Sequence, residues 1–281
     1  MVTSKLLAFF QHGFVLARSY KLNFAAKYFT TLVTVVFYLF LAELFRRMNV
    51  ALPPGTDPLI TDPLVTGPLT TDYFTFLLVG GAFSKYVEIN MRTLPDTLRE
   101  EMLVGTLEPL LSTATPTTLA LLGPSLFILV EGTLLVTVQL VIGAFFGADF
   151  SRANWPAAVC LTGLMVGCLF CWGVISAAFT LRYKRQDPVN NIVGAITYVF
   201  SGVFFPVSML PPAMQVISYL LPFTYGLQGL RGALLNGRGL IELGPDVAAL
   251  LIFTAVLLPI ALFSIRGATR YLKHSGALGH Y

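Results

Sequence analysis

The chain has 281 residues, of which 56% are hydrophobic and 11% charged, with a mean hydropathy of +0.76; soluble domains carry about 25% charged residues, so an ordinary soluble globule is excluded. A spanning helix takes about 20 apolar residues, which leaves room for roughly five to seven spans and for no sizeable water-soluble domain. The net charge of +4 comes from 18 Lys and Arg scattered between apolar runs, a pattern of topology signals rather than of a nucleic-acid-binding face.

Leu6, Phe10, Phe14 and Ala17 share one side of the first segment, with Lys5, His12 and Ser19 on the other. This predicts an amphipathic helix over residues 1–23 lying in the membrane interface. The first spanning run is Phe24 to Phe45, closed by Arg46 and Arg47, and the prolines between Pro53 and Pro68 predict an irregular loop after it. The second span is expected from about Leu69 to Asn90, with Lys85 near its far end reaching out of the bilayer.

The third span reads as about Thr118 to Phe146, interrupted by Glu131, and the fourth as about Pro156 to Leu181, ended by Arg182, Lys184 and Arg185. A fifth apolar run, Asn191 to Phe205, meets Pro206; Pro211, Pro212 and Pro222 then bracket a segment from Met214 to Leu221 that is too short to cross. Residues 206–236 are therefore expected to be re-entrant or interfacial, shielded from lipid by protein or water. The last span runs from about Val247 to Ile265.

The expected fold class is thus an all-α membrane protein with six transmembrane helices in one domain over residues 1–281. With both ends in the cytoplasm, thirteen basic residues fall inside and five outside, the latter being Arg46, Arg47, Arg152, Arg231 and Arg238. The positive-inside rule therefore puts both termini on the cytoplasmic face of the inner membrane.

Few residues offer chemistry. His12, His274 and His280 lie outside the spans, so no intramembrane metal site and no catalytic cluster is expected. Cys168 and Cys171 read as small apolar residues against a neighbouring helix, and Gly163 and Gly167 as a helix-packing pair. No Lys follows a Gly, so a phosphate-cradling loop of the Walker type is not expected and no cofactor is assigned to this chain. Glu131 with Gln139 two turns on forms a polar strip within span 3, suited to a polar pathway through the bilayer, to a dimer interface or to a hydrogen bond with a neighbouring helix.

The stretch Arg92 to Pro116 carries more information. Pro95 and Asp96 suit a first helical turn, with Thr97 and Glu100 as a capping box. Leu103, Leu107, Leu110 and Leu111 then form a ridge beside Glu100, Glu101 and Glu108. Such a ridge either seats in a partner or lies on lipid or on the chain's own spans.

The run from Glu101 to Pro116, with Gly105, Thr106, Leu107, Glu108, Leu110 and Leu111, resembles the E-x-x-x-G-T-L-E-x-L-L segment of ABC-2 type transporter permeases. A second match lies in Ser201 to Pro206, Leu210 and Pro211, Leu221 and Pro222, Tyr225, and Leu230 with Arg231. The resemblance implies a permease subunit that dimerises with itself or a related permease. It also implies two copies of a separate ATPase, which would hold the ATP and Mg, bound through the N-terminal helix and a cytoplasmic coupling segment over residues 92–116. Glu101, Gly105, Thr106, Leu107, Glu108, Leu110 and Leu111 would carry that coupling. The other classes open to the sequence are an ion-coupled carrier, which needs several mid-bilayer ionisable groups where only Glu131 is placed, and a lipid-modifying enzyme, which needs a polar catalytic cluster.

Overall fold

A computed structural model describes residues 21–47, 69–105, 117–183 and 187–275. Among these, eight α-helices and one 3-10 turn follow in chain order: α1 Lys21–Arg47, α2 Leu69–Val104, α3 Thr117–Phe145, α4 Trp155–Tyr183, α5 Pro188–Phe200, the turn Val207–Met209, α6 Pro212–Tyr219, α7 Pro222–Leu235 and α8 Gly244–Ser275. The interfacial helix expected before Lys21, most of the Pro-rich loop and the segment Thr106 to Pro116 lie outside the described residues.

The chain is a multi-pass membrane protein. Among the described residues four stretches are long and apolar enough to cross a bilayer by themselves: Ala25–Phe45, Phe127–Phe145, Trp155–Tyr183 and Gly244–Tyr271. The second and fifth expected spans fall short of that measure for different reasons. Helix α2 has 36 residues but carries charge along its length, whereas α5 has 13 and ends at Phe200 instead of running to Phe205.

Local chemistry explains the helix boundaries. Asn154 caps α4 by accepting the Ala157 N–H at 3.2 Å, and Asp187 caps α5 by accepting the Val189 N–H at 2.9 Å, with Pro188 at the first helical position. Proline also opens α6 and α7, where a missing N–H costs no helical bond. Within the spans the threonines satisfy their hydroxyls on the preceding turn: Thr34 donates to the Thr30 carbonyl and Thr254 to that of Leu250, so neither hydroxyl meets lipid unpaired.

Helices α2 and α4 form the centre, with α3 and α1 on one side of α2, α7 and α8 against α4, and α5 laid along α2. Leu77, Leu78, Ala82, Leu161, Met165, Phe223, Leu227 and Leu230 fill one half of the core. Leu94, Leu98 and Met102 of α2 meet Val174, Ala177 and Leu181 of α4 and Ala261 and Ile265 of α8 in the other. Helices α2 and α4 touch backbone to backbone where Gly173 lies on the Asn90 carbonyl, with no room for a Cβ. The outward faces of α1 (Phe29, Phe37, Phe40) and α8 (Ile252, Val256, Phe263) stay exposed, as a lipid-facing surface requires.

Three expectations are corrected. Pro95 does not start a helix: α2 runs through it unbroken from Leu69 to Val104, so Thr97 and Glu100 sit in mid-helix and form no capping box. Lys85 does not reach out to water; it is half-buried and donates to the Thr31 hydroxyl of α1 at 3.0 Å. Gly163 and Gly167 have open space beside them, so the described part of this chain supplies no helix that packs on that pair.

Candidate functional site

Two regions of α2 carry the residues singled out from the sequence. Its last turns leave the core with one face engaged and one free. Leu94, Leu98 and Met102 are buried, while Leu103 and Val104 are exposed at 59% and 74%. The ridge expected at Leu103 is therefore turned away from the bundle. Glu101 is half-buried in this last turn. The helix ends at Gly105, whose φ of +77° and N–H to the Met102 carbonyl at 3.3 Å make a left-handed stop with open space around it. Thr106, Leu107, Glu108, Leu110 and Leu111 follow outside the described residues.

Further up the bundle, α1, α2 and α3 share a polar seam. Lys27 pairs with Glu131 at 2.7 Å, Lys85 reaches Thr31, and the Tyr86 hydroxyl donates to that of Thr133 at 3.1 Å. The carboxylate that the sequence placed alone in span 3 therefore has a cationic partner from span 1, which hydropathy counting had treated as a topology signal. Gln139 is fully buried, and neither side-chain nitrogen nor oxygen has a hydrogen-bond partner. It shares the α2-facing side of α3 with Val136, Leu140 and Gly143, the last directly against Leu78. Glu131 and Gln139 thus meet different surroundings.

The Lys27–Glu131 pair yields a first prediction. Glu131→Gln keeps an acceptor for the Lys27 ammonium, whereas Glu131→Leu removes it; because the Lys27 side chain is 41% exposed, the pair contributes about 1 kcal/mol. In thermal unfolding of the detergent-purified chain, the Leu variant is expected to lose several degrees and the Gln variant markedly less. Equal losses would mean that the carboxylate charge, not the hydrogen bond, holds α1 to α3.

At the opposite end, Arg231 of α7 crosses to α2 and to the bend after α5. Its guanidinium donates to the carbonyls of Gly202 at 2.6 Å, Val203 at 2.9 Å and Phe76 at 3.1 Å, and lies 3.4 Å from the centroid of the Phe76 ring. The Tyr73 hydroxyl donates to the Phe204 carbonyl at 3.0 Å beside it. Gly80 makes the room, since a Cβ there would stand 2.5 Å from the Val203 oxygen and 2.6 Å from Arg231 Nη2. Arg231, one of the five basic residues counted outside, is not a solvated charge: its partners are backbone carbonyls, and its Nε is shut off from solvent. Gly202, with φ +80°, shapes the bend that presents two of those carbonyls.

The three cysteines are free thiols, Cys168 and Cys171 buried and Cys160 exposed, in keeping with packing rather than pairing. Among the described residues no group of three or more His, Cys, Asp or Glu is placed to hold a metal.

Residues 97–263 match the family model described as ABC-2 family transporter protein. The matched range begins in the last turns of α2 and ends within α8, taking in more than half of the chain. A relative in Bacillus subtilis (strain 168), the linearmycin resistance permease protein LnrN, is 28% identical over 116 residues, which cover 40% of this chain and 30% of that protein.

Proposed function

This chain belongs to the ABC-2 family of transporter proteins, and from that premise we propose that it is the membrane permease subunit of an ATP-driven exporter, working as a dimer with two copies of a separate ATPase. The observation that carries the reading is the end of α2. One helix runs from the middle of the core past Pro95 and delivers Leu103, Val104 and Gly105, exposed, directly into the segment with the Gly-Thr-Leu-Glu motif. At about 1.5 Å per residue its 36 residues span about 54 Å, against roughly 30 Å of hydrocarbon. One end therefore projects well beyond the bilayer, where a soluble partner can grip it.

In this reading Glu101, Gly105, Thr106, Leu107, Glu108, Leu110 and Leu111 form the coupling segment, and ATP with Mg is held by the partner. Six spans are completed by α2 and by α5, with residues 206–236 as a re-entrant cap on the outer side, and both termini lie in the cytoplasm. ATP-driven closure of the two ATPases draws the two coupling segments together and biases the spans toward an outward-open state. The name of the relative adds direction, since a permease that confers resistance removes its compound from the cell. In the same reading Glu131 of the α1–α3 seam serves the pathway or the dimer interface, whereas Gln139, fully buried on the α2-facing side of α3, would meet either only when the spans move apart.

Topology and partnership are tested together. Single cysteines in a background lacking Cys160, Cys168 and Cys171 report sidedness to an impermeant thiol reagent. Gly55→Cys and Ile241→Cys are the outer probes; Ile241 is 96% exposed, whereas Gly237, with φ +68° and the Arg152 backbone against it, does not tolerate a side chain. Labelling of both in intact cells, and of Leu103→Cys only after the membrane is opened, is expected. The reverse pattern would invert the topology, and purification of the tagged chain without a stoichiometric ATPase would remove the exporter reading.

A further inference from the structure

A proline inside a helix withdraws the N–H that the carbonyl four residues earlier would accept. In α2 that proline is Pro95 and the carbonyl is that of Met91. The carbonyl is occupied all the same: the side-chain amide of Asn190, in the first turn of α5, donates to it at 2.6 Å. Asn190 is only 6% exposed, and the Asp187 cap with Pro188 fixes the turn that aims it. An acceptor demands the amide nitrogen, so the partner itself sets the orientation of the group.

The other end of α5 is tied to α2 as well. The bend after Phe200 is joined through Arg231 to the Phe76 carbonyl and through the Tyr73 hydroxyl to the Phe204 carbonyl. Met91 and Phe76 stand fifteen residues apart on α2, about 22 Å, close to the length of about 20 Å expected of the 13 residues of α5. The two attachment points thus match the length of the helix they hold.

We propose that Asn190 is a positioning residue: by occupying the α2 carbonyl that Pro95 frees, it ties α5 to the stretch of α2 that runs on into the coupling segment, so that the two helices move as one body. This rests on the exporter reading for its functional part, because the motion it transmits is the one the ATPase supplies. A side chain that merely satisfied a stray carbonyl would serve stability alone. The sequence contains the means to separate the two roles, since Pro95→Ala returns the backbone N–H to Met91 and makes Asn190 redundant as a donor.

Asn190→Ala, Pro95→Ala and the double variant are compared as complexes with the co-purifying ATPase in nanodiscs. Two readouts are taken: the unfolding midpoint, and the change that Mg-ATP with vanadate causes in labelling of Met214→Cys on α6 in the cysteine-free background. Asn190→Ala is expected to lower the midpoint by about 5 °C, the double variant to recover it, and Pro95→Ala alone to stay near the parent. In both variants lacking Asn190 the ATP-dependent labelling change is expected to fall at least about threefold. A double variant that recovers both stability and the ATP response overturns the proposal, as does an Asn190→Ala variant that alters neither. A parent complex with no ATP response overturns the exporter reading and the transmission with it; that failure is told apart by the thermal readout, which needs no ATP.

Discussion

Replacing Arg231 with Met is expected to produce the largest stability loss of any single change in this chain. The carbonyls of Gly202 and Val203 lie in a bend outside any helix and accept from the guanidinium at 2.6 and 2.9 Å. Each carbonyl left unmatched in a membrane protein's interior costs about 1–3 kcal/mol, and the cation over the Phe76 ring adds about 1 kcal/mol more. A loss of about 3–7 kcal/mol follows, a large fraction of the roughly 5–15 kcal/mol that holds an ordinary domain folded. Lys is no substitute, because a single ammonium cannot fork between carbonyls on two elements. Gly80→Ala places a methyl group where Arg231 Nη2 and the Val203 oxygen already are, so it should break the same joint from the other side. Size-exclusion chromatography of fluorescently tagged variants after graded heating measures all of them. The double variant should be little worse than Arg231→Met alone, as expected for two lesions in one unit. Additive losses would show that Gly80 serves another contact.

The same residue shows where reading the sequence stops. The long apolar runs of α3 and α4 are legible nearly to the residue, because burial in lipid asks only for length and composition, whereas the Pro-rich stretch from Pro206 to Pro222 reads only as a segment too short to cross, and helices α6 and α7 there emerge from the structure. The sequence counts Arg231 only as one of five outside charges, because its three acceptors lie 28, 29 and 155 residues away; no local pattern encodes a cation held by distant carbonyls. Pro95 was read as a helix start for a related reason. Proline is at home in a first turn, and it is tolerated within α2 only because Asn190, on a helix nearly a hundred residues later, supplies the missing donor. An Asn at the mouth of an apolar helix was the one available signal. Lys85 and Glu131 show the same limit, since each finds its partner, Thr31 and Lys27, only through the packing of α1.

Leu107→Asp together with Leu111→Asp is expected to separate the permease from its ATPase without disturbing its insertion. The argument begins at Gly105. The buried ridge of α2 ends at Met102, and Leu103 and Val104 after it are exposed. The left-handed turn at Gly105 then releases the chain from the helix axis. Leu107 and Leu111 follow Gly105 in the sequence at a spacing of four, and in the exporter reading their apolar side chains enter a partner's groove. Burying a leucine there contributes about 1.5–3 kcal/mol, and an aspartate in its place must also be desolvated. Two such changes cost upward of about 4 kcal/mol, on the order of a thousandfold in affinity. Pull-down of the tagged permease from detergent extracts is expected to lose the ATPase band, while membrane yield and unfolding midpoint stay near those of the parent, because neither position lies in an apolar run that crosses the bilayer. Retention of the ATPase at parental stoichiometry would place the grip elsewhere, and loss of the permease itself from the membrane would mean that the two leucines pack against its own helices.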